Sequence, residues 1–298
     1  MTGATGFVGQ AVLDEAARRG VGVRALTRRE QEPREGVEWV AGDLAATDAL
    51  ARLAEGCAAV LHIAGVVNAP DAAGFKHGNV TGTQNVVETA RQADVSRFVH
   101  VSSLAAREPT LSDYGHSKRL AEEVVQVSGL DWTVVRPPAV YGPRDTEMLD
   151  LFRAARWGFV PLPPPGRTSI IHVEDLARLL LDVVEPSSAV AGRIFEPDDG
   201  TAGGWTHKEL ARAIGKAIGK SVWAPGLPRQ VLAAAARIDR IFRGDKAKLT
   251  PDRARYLSHP DWVAYPEKQV PPDIWQATNE THQGLVATAQ WYRDAGWL

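Results

Sequence analysis

Tyr114 and Lys118 lie four residues apart in Ser112-Asp113-Tyr114-Gly115-His116-Ser117-Lys118, and Ser103 lies just past the apolar run Phe98-Val99-His100-Val101. On a helix, positions i and i+4 share a face, so the Lys118 ammonium would sit beside the Tyr114 phenol. A free phenol, with a pKa of about 10, is a poor acid or base near neutrality. A neighbouring cation favours phenolate and brings that pKa toward working pH, where proton transfer is efficient. A serine at a strand end can hydrogen-bond the same substrate oxygen. Together these residue types suit carbonyl/alcohol redox chemistry on a nicotinamide cofactor. The spacing by itself also fits a helix-surface pair with a solvated lysine. Position argues for chemistry, because the pair follows a glycine-rich loop and several alternating strand and helix patterns.

That loop is Thr2-Gly3-Ala4-Thr5-Gly6-Phe7-Val8-Gly9, leading into an amphipathic segment. Gly3 permits a tight turn, Gly6 lets backbone approach a pyrophosphate, and Gly9 allows close helix–sheet packing. The helix start adds free N–H groups and a favourable dipole. The spacing departs from G-x-G-x-x-G and also describes a glycine-rich turn without a ligand. At the next strand end, Val23-Arg24-Ala25-Leu26-Thr27-Arg28-Arg29 holds no acid for a ribose 2′-hydroxyl. Arg28 and Arg29 stand there instead, and a guanidinium suits a 2′-phosphate. The other reading is a basic, solvated loop. NADP is the expected cofactor, with NAD as the alternative.

The elements that must position these residues alternate along the first 145 positions. Strands are expected at 21–26, 37–41, 58–63, 97–101 and 132–136, and helices at 7–19, 49–54, 82–93 and 114–128. Such alternation predicts an α/β fold with a doubly wound, Rossmann-type parallel sheet covered on both faces. No apolar run precedes Thr2, so the first, central strand is expected to be missing. That leaves a gap of about 4.8 Å or forces its neighbours to re-pair. A form extended upstream by an apolar strand is expected to be the more stable.

After Tyr141-Gly142-Pro143-Arg144 the pattern changes to a helix, a proline-rich stretch, a strand at 169–173 and a helix at 175–184. From residue 200 onward it becomes patchily helical. The expected division is a dinucleotide-binding domain of residues 1–145 plus 168–198 and a smaller, mixed substrate domain of 146–167 plus 199–298. Trp205, Trp223, Trp262, Trp275, Trp291 and Trp297 suggest an aromatic core there. His62 is expected to be a hydrogen-bonded core residue and His172 a structural one.

With 34 basic and 36 acidic residues and a formal charge of −2, nothing in bulk electrostatics favours nucleic acid or an anionic membrane. The lone Cys57 excludes an intramolecular disulfide and fits a reducing cytoplasm. No apolar run reaches the roughly 18 residues of a membrane span, and no cluster has metal-ligand spacing.

Further motifs accumulate: Gly42-Asp43-Leu44, His62-Ile63-Ala64-Gly65, Asn79-Val80-Thr81-Gly82-Thr83 and Val101-Ser102-Ser103. Arg136-Pro137-Pro138-Ala139-Val140-Tyr141-Gly142-Pro143 and Ile171-His172-Val173-Glu174-Asp175-Leu176-Ala177 follow. With the glycine loop and Tyr114-x-x-x-Lys118, they resemble an extended short-chain dehydrogenase/reductase of the NAD-dependent epimerase/dehydratase group over nearly the whole chain. The resemblance implies that Gly3, Thr5, Gly6, Phe7 and Val8 hold the pyrophosphate and that Arg28 meets a 2′-phosphate. Asp43 and Leu44 would lie by the adenine, Ala64 and Gly65 would flank the cofactor, and Pro137 and Val140 would pack near the nicotinamide. Ser103 would orient the substrate oxygen, and Tyr114 would be the general acid/base. Lys118 would lower its pKa and bind the nicotinamide ribose. Asn79 would support the site.

Pro138 stands where sugar-nucleotide enzymes commonly carry asparagine, and the stretch from Ser103 to Tyr114 is short. Both resemble the reductase and hydroxysteroid-dehydrogenase-like branch, and imply a small carbonyl or alcohol substrate. Two other readings stay open: a nucleotide-sugar epimerase/dehydratase, and a non-catalytic NAD(P)-binding regulator or accessory subunit. Oligomeric state is likewise open, a homodimer being one form.

Overall fold

Near-continuous apolar segments demand a sheet buried on both faces, and the computed structural model, which describes residues 1–244 and 249–298, contains one. Strand β1 (Val23–Thr27) pairs in parallel with β2 (Val37–Ala41). A second parallel sheet runs β3 (Ala59–His62), β4 (Arg97–Val101), β5 (Asp131–Val135) and β6 (Arg193–Phe195). The position between β1 and β3 is held by Met1 and Thr2. The Thr2 N–H donates to Leu61 O at 3.0 Å, the Ile63 N–H to Thr2 O at 3.3 Å, and the Leu26 N–H to Met1 O at 3.0 Å. These two residues tie the sheets together at the carboxyl ends of their strands, and β1 and β3 do not re-pair.

Helices α1 (Phe7–Arg19), α2 (Thr47–Ala54), α3 (Gly82–Gln92) and α4 (Asp113–Gln126) connect the strands. In α2 the buried positions Ala49, Leu50, Leu53 and Ala54 form one helical stripe. That stripe packs with Val86, Val87 and Val125 on Val60, Phe98 and Val134 of the sheet. Leu13 of α1 packs with Ala4 and Ala25 in a separate cluster. Helix α1 stops at Gly20, whose φ of +68° is the left-handed conformation glycine adopts without strain.

Strands β2 and β4 fall where the sequence places them, and β1, β3 and β5 differ at their ends by one or two residues. Strand β6 carried no sequence signal, being three residues long with only Phe195 buried. Ahead of α3, a short helix, Ala72–Phe75, runs into a π-helical turn, Lys76–Thr81.

His62 is fully buried in β3, and its ring nitrogens meet Thr2 Oγ1 at 2.7 Å and Thr83 Oγ1 at 3.0 Å. It is the satisfied core residue expected, and it anchors the Met1–Thr2 link to α3. Burial, reinforced by the charge of Lys118, pushes its pKa down to about 3. His100 stacks on it at 5.3 Å between ring centroids and is held neutral for the same reasons.

The chain divides into two compact units: Met1–Arg136 with Leu176–Glu196 and Val270–Trp275, and Pro137–Asp175 with Pro197–Gln269 and Gln276–Leu298. In the second, Ala139–Tyr141 pairs in parallel with Ile170–His172. Arg167–Thr168 lies between Trp205–Thr206 (antiparallel) and Asp261–Trp262 (parallel). Its core centres on Tyr141, Phe152, Ile170, Ile214, Leu285 and Tyr292, with Phe152 and Tyr292 edge-to-face at 5.2 Å. The tryptophans Trp205, Trp291 and Trp297 only border this core. An indole N–H needs a partner, and that of Trp205 finds Asp199 at 2.8 Å. Among the described residues no helix is long and apolar enough to cross a membrane.

The neutral His62 predicts acid sensitivity. From about pH 6.5 downward the unfolded chain gains a proton that the folded protein refuses until about pH 3, so stability falls across that window. Urea unfolding at pH 7 and pH 4 should show the wild type losing on the order of 3 kcal/mol more than His62→Gln, which cannot titrate. Equal losses would mean that His62 is protonated while folded.

Candidate active site

Helix α4 begins at Ser112, whose Oγ accepts the Gly115 N–H at 3.0 Å, with Asp113 in the first turn favouring the helix dipole. Gly115 has no room for a side chain, since a Cβ there would lie 2.6 Å from Ala105 O. The first turn of α4 therefore rests directly on the 3₁₀ turn Leu104–Arg107. Ser103 caps that turn, its Oγ accepting the Ala105 N–H at 3.2 Å. Ser103 and Tyr114 are both half-buried, and the Tyr114 ring lies 6.0 Å from that of Phe75.

One helical turn on, Lys118 is only 4% exposed and donates from Nζ to Val101 O at 2.7 Å, at the end of β4. Burial lowers its pKa from about 10.5 to about 8, with Glu122 pulling part of the way back. A Cβ on Gly65 would lie 3.6 Å from Lys118 Nζ and 3.2 Å from Asn79 Oδ1, so the loop after β3 passes over both. Asn79 fixes that loop. Its Oδ1 accepts the Val66 N–H at 2.7 Å, while Nδ2 donates to Val66 O at 3.0 Å and to Ser117 Oγ at 2.9 Å. The asparagine thus locks the loop to the helix that carries Tyr114 and Lys118.

Beneath these residues runs a buried charge network that the sequence reading did not foresee. Arg136 donates to Glu122 at 2.6 and 2.8 Å and to Glu196 at 3.2 Å. Ser102 also donates to Glu122, and Arg107 donates to Glu196 at 3.2 Å. Burial opposes the charge on Arg136, but its carboxylate partners outweigh that and raise its pKa. One signal was readable: Glu122 lies four residues after Lys118, on the same helix face.

The glycine loop is pressed tight. Gly3 has φ +74°, and a Cβ there would lie 2.6 Å from Ala64 N; one on Gly9 would lie 2.1 Å from Gly3 O. Thr5 and Gly6 are exposed, Phe7 and Val8 half-buried. No side chain caps α1, and no acid occupies its first turn. That leaves the donors and positive dipole end for an anion, so these residues fit a dinucleotide pyrophosphate.

Arg28 is exposed just past β1 and makes no hydrogen bond or ion pair among the described residues. Asp43 is exposed, with Oδ1 accepting the N–H groups of Ala45 and Ala46 at 2.9 and 3.1 Å. Leu44 packs on Gly82. Pro137, buried, and Val140, half-buried on Ala139–Tyr141, lie in the second unit.

A family model described as NAD(P)H-binding matches residues 3–186. The chain is 39% identical to the ceramide reductase of Caulobacter vibrioides, covering 100% of this chain and 95% of that protein. It is 30% identical to the 4-hydroxy-2-methyl-3-oxo-4-farnesyl-3,4-dihydroquinoline-1-oxide ketoreductase of Stigmatella aurantiaca, covering 86% and 89%. Its fold is similar to that of the Thermus thermophilus UDP-glucose 4-epimerase complexed with NAD. There the TM-score is 0.73 at 21% identity, over 99% and 98% of the two chains.

The buried Lys118 carries a prediction of its own. Below about pH 8 it is charged in both folded and unfolded states, and its burial cost is present in full. Between about 8 and 10.5 the folded protein releases the proton first, so stability gains with rising pH. Relative to Lys118→Met, the wild type without cofactor should gain about 2 kcal/mol between pH 7 and 9.5 by urea unfolding. No relative gain would place the folded-state pKa near its ordinary value.

Proposed function

The chain belongs to the NAD(P)H-binding family as an NAD(P)-dependent oxidoreductase of the extended short-chain dehydrogenase/reductase type, and we propose that it reduces a ketone on a lipid-like substrate using NADPH. The observation that carries this reading is the buried Lys118, held by Val101 O under Gly65 on the same helix as Tyr114. The substrate class is supported by the two reductase relatives, whose named substrates are a ceramide and a farnesyl-bearing oxo compound.

When bound, the cofactor supplies the hydride that the carbonyl carbon receives. Gly3, Thr5, Gly6, Phe7 and Val8 would hold its pyrophosphate, with Ala64 and Gly65 alongside. Asp43 and Leu44 would border the adenine, and Pro137 and Val140 the nicotinamide. Ser103 donates a hydrogen bond to the substrate carbonyl oxygen. Tyr114 gives that oxygen its proton, leaving an alcohol and a phenolate. Lys118, mostly protonated at pH 7, stabilises the phenolate and binds the nicotinamide ribose. Asn79 holds the loop and helix in register. An epimerase would use the same Tyr114 and Lys118, and is compatible with the likeness to UDP-glucose 4-epimerases in sequence and in fold.

Replacing Tyr114 with phenylalanine removes the proton donor and little volume, so turnover should fall about 10²–10⁴-fold while cofactor affinity stays near wild type. Lys118→Ala should weaken both. Steady-state rates beside fluorescence titration of NADPH separate the two effects. Wild-type turnover in Tyr114→Phe would remove the acid/base role.

Arg28 stands free where an acid would select NAD. Calorimetry should find NADPH bound tenfold or more tighter than NADH, because a charge-assisted phosphate contact is worth about 1.5–3 kcal/mol. Arg28→Ala should erase most of that preference. Equal affinities in the wild type would assign the site to NAD.

A further inference from the structure

The second unit presents large apolar side chains to solvent and, close by in the chain, a cluster of cations. Trp157 is 88% and Trp223 is 70% exposed, and the Phe159 ring lies tilted against that of Trp223 with 5.4 Å between ring centroids. The two segments are joined by backbone bonds, Trp223 N–H to Gly158 O at 2.9 Å and Val160 N–H to Trp223 O at 3.0 Å. Phe159 and Trp223 therefore belong to one surface, and Trp157 stands two residues before Phe159 in the chain.

Directly before Trp223 the chain closes helix His207–Ala217 through a turn at Gly219. A recess of about 450 Å³ opens there, lined by Arg212, Lys216 and Lys220 together with Gly219, Ser221 and Val222. Arg212 and Lys216 share one face of the helix, Lys220 follows just past its end, and all three are exposed. No carboxylate lines the recess. Two acids lie near enough to feel these charges, Glu209 that of Arg212 and Glu280 that of Lys216, but their hydrogen bonds go to helix caps, Glu209 to Thr206 and Glu280 to the N–H groups of His282 and Gln283.

We propose that this surface docks the protein on an anionic phospholipid bilayer, with Trp157, Phe159 and Trp223 entering the interface and Arg212, Lys216 and Lys220 meeting lipid phosphates. Amphipathic rings such as indole sit at the headgroup level of a bilayer, one end apolar and the other wet. Exposed cations beside them add attraction to an anionic leaflet. A protein partner would leave the carboxylate-free recess without its counter-charge unless that partner were acidic, whereas a phospholipid carries phosphate and apolar chain together.

Six residues beyond Trp223, helix Arg229–Arg243 begins, with Val231, Ile238 and Ile241 exposed along one stripe. That is the pattern of a helix lying in a membrane surface. The formal charge of −2 gives no long-range attraction, so binding must come from the local cations and must weaken with salt. The inference rests on this surface and not on the substrate reading.

The test is sedimentation of the full chain with phosphatidylcholine vesicles and with vesicles containing phosphatidylglycerol, read as binding and independently of turnover. The wild type should bind the anionic vesicles, less so in high salt, and bind phosphatidylcholine weakly. Trp157→Ser with Trp223→Ser, and separately Lys216→Gln with Lys220→Gln, should each lower that affinity about tenfold or more. Both pairs are exposed, so melting temperatures should stay near wild type, and Arg91→Gln in the first unit should bind like wild type. Absence of vesicle binding, or binding that neither pair weakens, overturns the proposal. So does a wild-type dimer in sedimentation velocity that the tryptophan substitutions dissociate, which would assign the surface to a second copy of the chain.

Discussion

A carboxylate that is wholly buried must be matched by cations, and Glu122 sets that condition for the first unit. It sits on α4, takes two bonds from Arg136 and one from Ser102, and its charge reaches Lys118 one turn earlier. Removing one partner from such a network strands the other charge in a poorly solvating interior, which typically costs 3–5 kcal/mol. The helix can therefore neither rotate nor slide. Its register fixes Lys118 against Val101 O, and with it the position of Tyr114. Arg136 and Glu196 lie just beyond the carboxyl ends of β5 and β6, so the same network ties these strand ends to the helix.

The loop side of the site obeys steric rules where the helix side obeys electrostatic ones. Gly3 and Gly9 allow backbone to lie on backbone, which brings the α1 N-terminus to the level of Ala64. Asn79 joins the two halves, because its amide bonds both to the loop after β3 and to Ser117 of α4. Thr2, His62 and Thr83 continue this line under the loop. Helix-end donors, a buried cation and a strand-end serine thus come from separate parts of the chain to one end of the parallel strands, where ligands of open α/β sheets bind.

Much of this was legible in the sequence. Periodicity located the five main strands and four main helices of the first unit, because their apolar positions are buried on matching faces. Glycine spacing located the loop, since only glycine fits where a Cβ would meet backbone. Lys118 was legible as a candidate, but its bond to Val101 O was not, because a lysine in sequence looks the same solvated or buried. Beyond the Lys118–Glu122 spacing, the pairing of Glu122, Arg136 and Glu196 was not legible, because it forms only where the ends of β5 and β6 meet α4. The three-residue β6 lacked any period to detect. Of the six tryptophans expected to form a core, Trp262 and Trp275 are buried, Trp205, Trp291 and Trp297 border the second unit's core, and Trp223 stays in solvent.

Ser103, Tyr114 and Lys118 are proposed to carry out the net reduction of a ketone. The most direct measurement incubates the purified chain with NADPH and a series of long-chain ketones, following the loss of dihydronicotinamide absorbance and the alcohol formed. Equimolar cofactor oxidation and alcohol production is the predicted result. Interconversion of a nucleotide sugar with no net change in the cofactor, or tight cofactor binding with no ketone consumed, would contradict it.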